Sequence, residues 1–426
     1  MSDAKTRKAA AEVLMTVLEE RRTLDEALSN TESFDQLNGP DRGFARAMVS
    51  AALRHLGRID LGLAPFLDRP LDTATPPSRS LLRIGAAQAW ILETPDHAVV
   101  GETVAATKIW PRAQRATGFL NAVLRKTVAN RDAFDAAAIE ANWPTWLRTI
   151  AAQDLGVKAA ESLALAQTAL PETYLTAKDG NAAALATQVG GEVVGDYSVK
   201  VTAAAIEKLP GFEDGDWWVQ DIAATLPARL LSATENDTVL DICAAPGGKT
   251  MQLAATGANV TAIDRSKPRL KRLKQNLWRT GFHGKVETVL TDAASWTPPA
   301  PVDKILLDAP CSALGTLRRH PEGAWIKTAA DVARFSEVQE RLLRASVGML
   351  KPGGTLVYCV CSPFSHEGLK IVEQVVADAP VSRAGVERGE VSGFESSLTA
   401  LGDLLTLPNG KFGHDAFYMA RLKRDF

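Results

Sequence analysis

The chain has 426 residues, of which 46% are hydrophobic and 23% are charged, and its formal net charge is −2. This length predicts two or three domains, and the ordinary globular composition supplies ample apolar material for their cores. The nearly balanced charge excludes a strongly basic chain, so any site for a polyanion must come from local clusters of basic residues.

Residues 1–132 are predicted to form one all-α domain. Apolar residues recur at spacings of three and four along this region, which is the pattern of helices packed on one face. Turn-forming segments that contain proline interrupt the pattern. The clearest helical segments begin at Ala9, Phe44, Leu81 and Phe119.

Two further regions follow. Residues 145–220 mix short helical patterns with strand-like pieces such as Glu192-Val-Val, and they predict a small α+β linking segment. Residues 221–426 alternate between strand and helix, which predicts an α/β domain with a largely parallel, doubly wound, Rossmann-like sheet. The predicted strands are 238–242, 259–263, 286–290, 302–307 and 354–358, with 416–422 as a final edge strand.

The first of these strands runs into a turn of small residues, Cys243-Ala-Ala-Pro-Gly-Gly-Lys249, that opens a helix. Small residues let the backbone approach a ligand, and a helix N-terminus offers free amide donors. A phosphate-binding P-loop would need glycine at the position of Cys243, and the dinucleotide fingerprint is also absent. A tight turn without a ligand is the alternative.

Acidic residues at consecutive strand ends favour a ligand. Asp264 ends the second strand, where a carboxylate pairs with ribose hydroxyls in dinucleotide-binding folds. Asp292 and Asp308 end the third and fourth strands. An adenosine-containing ligand without a pyrophosphate fits such a rim, and S-adenosylmethionine is the obvious candidate.

Two cysteine segments end buried strands of the same domain, at Cys311 and at Cys361. A thiol at a strand end can act as a nucleophile, although free cysteines are often simply buried hydrophobic residues. Cys359 is predicted to belong to the core, because a metal site would need two further ligands and no His pair stands at ligand spacing. All four cysteines lie next to motifs, which fits a reducing compartment rather than a disulfide framework.

These residues together resemble the RsmB-like (RsmB/Nop/Sun) RNA cytosine-5 methyltransferases. The glycine turn is similar to the cofactor loop of that family, and Asp308-Ala-Pro-Cys-Ser312 and Cys361-Ser362 are similar to its two cysteine motifs. The N-terminal region resembles the NusB-like RNA-binding domain of the bacterial ribosomal RNA branch, through Asp41-Arg-Gly-Phe-Ala-Arg and Ala52-Leu-Arg-His.

The resemblance implies the chemistry of the site. Cys361 is expected to add to carbon 6 of cytosine, so that carbon 5 can attack the methyl group of the cofactor. Cys311 is expected to assist the later elimination, Asp308 to hydrogen-bond the base, and Lys249 to hold the cofactor carboxylate or lower a thiol pKa. The expected cofactor-binding residues are Cys243, Ala244, Ala245, Pro246, Gly247, Gly248, Lys249, Asp264, Arg269, Asp292 and Asp308.

The chain departs from the family pattern in two places. The family usually has Leu-Arg-Val-Asn where this chain reads Thr173-Tyr-Leu-Thr176, which puts RNA contacts of the middle segment in doubt. Gly368 follows Glu367 where the family prefers asparagine.

Two basic segments are candidates for RNA contact. No acidic residue interrupts residues 265–285, which form either a solvated helix face or a stripe that follows phosphates. Arg318, Arg319 and His320 directly follow the first cysteine motif, and we expect them at the mouth of the pocket, in contact with RNA. A target base must be single-stranded or flipped out to enter such a pocket.

The sequence therefore favours an S-adenosylmethionine-dependent RNA (cytosine-5) methyltransferase that acts on small-subunit (16S) ribosomal RNA. The alternatives are the same chemistry on transfer RNA and a non-catalytic RNA-binding factor for ribosome assembly. A cytoplasmic protein is expected, because the start of the chain lacks an apolar signal region and no apolar run approaches the ~20 residues of a membrane span. A monomer is expected as well, although the sequence does not determine the oligomeric state. The sequence leaves open which cytosine is the target.

Overall fold

The computed structural model describes residues 3–202, 205–408 and 412–426, and these form two compact units. The first unit contains the described residues up to Leu170 together with Leu317–Ala329, and the second contains Pro171–Thr316 and Ala330–Phe426. Within these described ranges, no helix is both long enough and apolar enough to cross a membrane.

The first unit is helical, as predicted. Its helices are α1 (Ala4–Glu20), α2 (Leu24–Asn30), α3 (Glu32–Asp35), α4 (Gly39–Arg54), α5 (Leu56–Leu63), α6 (Pro76–Trp90), α7 (Asp96–Lys108), α8 (Thr117–Ala129), α9 (Asp132–Asp135), α10 (Thr145–Leu155) and α11 (Val157–Thr168). The spacing of three and four buries one face of each long helix; in α1, for example, Ala10, Leu14 and Val17 are fully buried.

The helical unit differs from the predicted domain in two respects. Helices continue through α11, so residues 145–168 are grouped with the helical unit rather than with an α+β segment. The chain also returns to this unit at residues 317–329, which include the short helix α16 (Gly323–Ile326). We refer to residues 317–329 as the returning segment.

Hydrogen bonds fix the returning segment within the helical unit. Nη1 of the buried Arg54 donates to the carbonyl oxygen of Arg318 at 2.8 Å and to that of Gln167 at 2.7 Å. The carboxylate of Glu322 accepts from the Leu24 amide at 3.2 Å. The bonds to Arg318 and Glu322 join helices near the start of the chain to residues 264 and 298 positions later, a pairing that periodicity does not reveal.

The second unit begins with a small antiparallel sheet in the order β2-β3-β1-β4. Its elements are β1 (Thr173–Ala177), α12 (Ala182–Val189), β2 (Glu192–Val194), β3 (Ser198–Val201) and β4 (Trp217–Val219). The strand-like pattern at Glu192 is confirmed as β2, and the α+β region occupies residues 173–219.

The main sheet of the second unit has the order β10-β12-β9-β8-β5-β6-β7, with β11 also paired to β12. Its strands are β5 (Thr238–Ile242), β6 (Asn259–Asp264), β7 (Val286–Leu290), β8 (Val302–Asp308), β9 (Leu350–Val360), β10 (Val381–Arg383), β11 (Leu404–Thr406) and β12 (Phe417–Arg424). The helices between them are α13 (Leu226–Leu230), α14 (Gly248–Ala255), α15 (Lys267–Arg279), α17 (Ala329–Met349) and α18 (Leu369–Asp378).

The five predicted strands and the doubly wound order are confirmed, but the last strand is not an edge. Strand β12 pairs antiparallel with β9 on one side and with β10 and β11 on the other. Strands β5 to β9 pair in parallel. Their carboxyl ends therefore lie along one edge of the sheet, which is where open α/β sheets bind ligands.

Candidate active site

The glycine turn between β5 and α14 is held in place by residues of α15 and the end of β6. Oδ2 of Asp264 accepts from the Ala245 amide at 3.3 Å, and the guanidinium of Arg269 donates to the Ala245 carbonyl. The side-chain amide of Asn276 donates to the Pro246 carbonyl at 2.9 Å. Gly247 has φ 109°, a conformation that side chains rarely allow, so glycine is required there.

Two of the three strand-end acids lie together, whereas the third, Asp308, lines a different cavity. Asp264 and Asp292 line one narrow cleft with Cys243. Asp264 is 2% exposed and accepts from the Ser266 amide at 2.8 Å, so it braces the loop as well as facing the cleft. Oδ1 of Asp292 accepts from the Ala294 amide at 3.0 Å.

Asp241 is a buried acid of this site that the sequence reasoning did not include. It is fully buried in β5, and its Oδ2 accepts from the Thr250 hydroxyl at 2.5 Å. Its Oδ1 has no hydrogen-bond partner among the described residues. Burial raises the pKa of Asp241 to about 7. It lines a cavity of about 340 Å³ with Lys249 and Asp308, so this cavity contains an acceptor that a cationic ligand would satisfy.

Lys249 and Asp308 form an ion pair on the same cavity, with Nζ and Oδ2 2.8 Å apart. Burial alone would lower the pKa of Lys249, but the charge of Asp308 and its hydrogen bond with Lys249 outweigh burial, and the pKa is raised. Cys359 is fully buried and its Sγ lies 3.4 Å from Oδ1 of Asp308.

In the described ranges, no group of three or more His, Cys, Asp or Glu residues is arranged to hold a metal ion.

The two thiols of the cysteine motifs meet. Sγ of Cys311 and Sγ of Cys361 are 3.2 Å apart, although the residues are 50 positions apart in sequence. Both cysteines are free and partly exposed. The hydrogen bond with Cys361 and burial raise the pKa of the Cys311 thiol well above its usual value. Cys311 therefore stays protonated and can donate a hydrogen bond to the sulfur of Cys361.

Glu367 joins the two thiol-bearing loops. This carboxylate is fully buried, and its Oε1 accepts from the amide of Ser312, the neighbour of Cys311, at 2.6 Å. The Ser312 hydroxyl donates to its other oxygen. Glu367 itself lies in the loop that follows Cys361. Gln339 of α17 donates to Oε1 at 3.4 Å, which closes the network. Glu367 thus connects the backbone positions that determine the distance between the thiols.

Arg318 is placed differently from our expectation. Its side chain is 6% exposed and lies in the helical unit, so its guanidinium is not presented to an RNA phosphate. The physical reason is the returning segment, which is drawn into that unit by the hydrogen bond from Arg54 to the Arg318 carbonyl. Of the other two residues, Arg319 is partly exposed and His320 is exposed, with Nδ1 3.6 Å from Glu322.

Comparison with known proteins identifies the family. The family model described as 16S rRNA methyltransferase RsmB/F matches residues 228–423, and the NusB family model matches residues 4–129. Ribosomal RNA small subunit methyltransferase B of Xanthomonas campestris pv. campestris is 35% identical, over 91% of this chain and 92% of that protein. The protein of the same name from Pseudomonas putida is 34% identical, over 98% of both chains. This chain belongs to the RsmB/F family of 16S rRNA methyltransferases.

The solved structure of PH0851 has the same fold. The structural match covers 100% of this chain and 99% of the PH0851 chain, with a TM-score of 0.77 and 22% sequence identity. The predicted family, the helical NusB domain and the Rossmann-like methyltransferase domain are therefore confirmed. As a member of the RsmB/F family, the chain is an RNA methyltransferase.

The structure gives a steric reason for one departure from the RsmB/F pattern. A Cβ atom added to Gly368 would lie 2.6 Å from Cγ of Tyr418, so the asparagine preferred at this position does not fit beside this tyrosine. At the other departure, Thr173–Thr176 forms most of β1, in which Tyr174 and Leu175 are buried. Those positions serve the core of the small sheet.

Proposed function

We propose that the protein is an S-adenosylmethionine-dependent RNA (cytosine-5) methyltransferase that acts on small-subunit (16S) ribosomal RNA through a covalent cysteine–cytosine adduct. The observation that carries this proposal is the 3.2 Å approach of the Cys311 and Cys361 thiols. A methyltransferase whose acceptor is already nucleophilic needs neither thiol, whereas carbon 5 of cytosine is a poor nucleophile and needs covalent activation.

The residues of the glycine turn fit S-adenosylmethionine. The unpartnered Oδ1 of Asp241 is a buried acceptor suited to the ammonium group of the methionine part of the cofactor. Asp264 and Asp292, which share one cleft, are suited to the ribose hydroxyls. When bound, the cofactor supplies an electrophilic methyl group. The residues that would hold it are Cys243, Ala244, Ala245, Pro246, Gly247, Gly248, Lys249, Asp264, Arg269, Asp292 and Asp308.

Cys361 is the proposed nucleophile. Its thiolate adds to carbon 6 of the cytosine, and the electron pair of the 5,6 double bond then becomes available at carbon 5 for attack on the methyl group. Cys311 donates a hydrogen bond to this thiolate, and the cation of Lys249 favours negative charge nearby. Asp308 lines the same cavity as Lys249, and its carboxylate holds the edge of the base by accepting a hydrogen bond from the amino group next to ring nitrogen 3.

Cys311 is the residue that we propose to assist release of the methylated base from Cys361. The largest cause of its raised pKa is the hydrogen bond with Cys361. Once the Cys361 sulfur is bonded to carbon 6 it no longer carries a negative charge, so this cause disappears and the pKa of Cys311 falls. The Cys311 thiol can then lose its own proton to solvent, and the resulting thiolate takes the proton from carbon 5. The electron pair left at carbon 5 restores the 5,6 double bond, the bond between carbon 6 and sulfur breaks, and Cys361 leaves as a thiolate.

The substrate assignment rests on the family, together with two residues next to the first cysteine motif. Arg319 and His320 are partly or fully exposed and remain proposed RNA contacts, while the buried Arg318 no longer serves that purpose in this conformation. The cytoplasm, where ribosomal RNA is modified, is the proposed compartment.

Bisulfite sequencing of total RNA tests the substrate. A strain that lacks the protein should lose one 5-methylcytosine of 16S ribosomal RNA, and a plasmid copy of the wild-type gene should restore it. Loss from transfer RNA instead would move the same chemistry to another substrate. If 5-methylcytosine is unchanged in every RNA, the protein is a binding factor and the proposed reaction is wrong.

A further inference from the structure

One face of α15 carries three lysines and a tryptophan in line. Lys267, Lys271, Lys274 and Trp278 follow one another at spacings of four, three and four residues, so they share one side of the helix. All four side chains are exposed, and Trp278 is 70% exposed. With a rise of 1.5 Å per residue, this row extends over about 16 Å. We call these four residues the lysine–tryptophan row.

The row is separate from the faces of α15 that build the domain. The helix packs on the core through Leu270, Leu273 and Leu277. It braces the glycine turn through other side chains, those of Arg269 and Asn276. The lysines and the tryptophan of the row therefore have no part in holding the cofactor loop, and they lie on the outward face of the helix.

The charge of the row is uncompensated. None of the three lysines forms an ion pair with any residue in the described ranges. No acidic residue occurs between positions 265 and 285 to offset them. Lysine is depleted in protein–protein interfaces, because its strongly hydrated charge is costly to bury. Phosphate groups, by contrast, gain affinity from such a row through the release of counterions.

Trp278 adds a feature that a solvated basic helix does not need. The ring of His283 packs against the indole, with centroids 4.2 Å apart and an angle of 36° between the rings. This contact supports one side of the indole, while the rest of the side chain stays exposed. Proteins that bind single-stranded nucleic acid combine a row of cations with exposed aromatic rings on which bases stack. The row and the indole of Trp278 have this combination.

We propose that the lysine–tryptophan row, with His283 behind the indole, is a docking surface for a single-stranded segment of the substrate RNA. The lysines contact successive phosphates and one base stacks on Trp278. This inference rests on the function proposed above and adds to it a place where the RNA lies outside the pocket for the target base.

The test uses the full-length protein and an unmodified 16S ribosomal RNA transcript, with affinity measured over a range of salt concentrations. In the triple variant Lys267→Gln, Lys271→Gln, Lys274→Gln, the slope of log affinity against log salt should become shallower by about 2, since each lost single-strand phosphate contact removes about 0.7. The matched control, Lys208→Gln, Arg388→Gln, Lys423→Gln, removes three exposed cations elsewhere in the second unit and should leave the slope within about 0.5 of the wild-type value, a fraction of one phosphate contact.

Trp278 is tested separately. Trp278→Ala should weaken RNA binding by roughly 5- to 150-fold, the range of one stacked base, and Trp278→Phe should restore most of it. If the two triple variants change the salt slope equally, or if Trp278→Ala binds RNA as tightly as the wild type, the docking surface is wrong.

A measurement of methyl transfer by the wild-type protein distinguishes a wrong docking surface from a wrong proposed function. If wild-type protein methylates cytosine in the transcript while the variants bind as tightly as it does, only the docking surface is wrong. If wild-type protein binds the transcript but transfers no methyl group to cytosine, the proposed function is wrong, and the binding data still decide the surface.

Discussion

At the scale of single residues, Glu367 is the side chain that most directly controls the thiol pair. It fixes Ser312 beside Cys311 and belongs to the loop after Cys361, and its charge contributes to the raised pKa of the Cys311 thiol. We therefore regard it as a positioning residue. A displacement of about 1 Å in a reacting group can cost roughly 100-fold in rate.

Glu367→Ala should slow product release and lower kcat by roughly 100-fold, with accumulation of a protein–RNA adduct that survives denaturing electrophoresis. Glu367→Gln keeps an oxygen for the Ser312 amide and should retain most of the turnover. Glu373→Ala removes an exposed glutamate of α18 and is the matched control. If Glu367→Ala only lowers the melting temperature, and kcat per folded molecule is unchanged, the positioning role is wrong.

Asp241 determines how the cofactor site responds to pH. Its pKa is raised to about 7 by burial, so the carboxylate becomes protonated as pH falls through this value. Affinity for S-adenosylmethionine should decline between pH 8 and pH 6, and in Asp241→Asn it should be weak and independent of pH over that range. Calorimetric titration at several pH values measures both proteins.

The same residue predicts a change in stability. Because its pKa is higher in the folded protein than the ordinary value near 3.9, the folded state binds the proton more tightly. Its contribution is therefore most favourable at low pH and is lost as pH rises toward and through about 7. The melting temperature of Asp241→Asn relative to wild type should be higher at pH 8 than at pH 5. A difference that does not change with pH would contradict the raised pKa.

At the scale of elements, the returning segment is the feature that the sequence pattern hides. The carboxylate of Glu322 is 2% exposed and accepts from the Leu24 amide at the start of α2. Glu322→Ala would leave that buried donor without a partner, at a cost of about 1–3 kcal/mol of unfolding free energy.

Thermal or urea denaturation of Glu322→Ala measures this cost. Glu337→Ala, which removes an exposed glutamate of α17, is the control and should change stability by less than about 0.5 kcal/mol, as surface substitutions generally do. If the two variants are equally stable, the returning segment is not held by this bond.

The strands show which elements a sequence reveals. Strands β5 to β8 and the acids at their ends were predicted correctly, because a buried parallel strand is a continuous apolar run bounded by turn residues. The predicted position of β12 at the edge of the sheet was wrong, because its pairing with β9, β10 and β11 depends on residues far away in sequence. The same limit applies to the helices α10 and α11, whose grouping depends on tertiary contacts.

At the scale of the whole molecule, the motifs that predicted the family are local and the features that build the site are not. The glycine turn and the two cysteine motifs can be read from the sequence. The 3.2 Å thiol contact, the bond between Ser312 and Glu367 and the bond that holds Arg318 each join segments that are 50 or more residues apart. Asp241 was missed although it directly precedes Ile242 and the turn, because an acid inside a strand carries no signal that one of its oxygens lacks a partner.

The central claim is that two thiols with unequal tasks act on one cytosine. It is tested by incubating Cys361→Ala, Cys311→Ala and wild-type protein with 16S ribosomal RNA and S-adenosylmethionine, followed by denaturing electrophoresis and a count of 5-methylcytosine. Cys311→Ala should yield a stable protein–RNA adduct, and Cys361→Ala should yield neither adduct nor product. Normal turnover by Cys361→Ala, or an adduct formed by Cys361→Ala rather than by Cys311→Ala, would contradict the assignment.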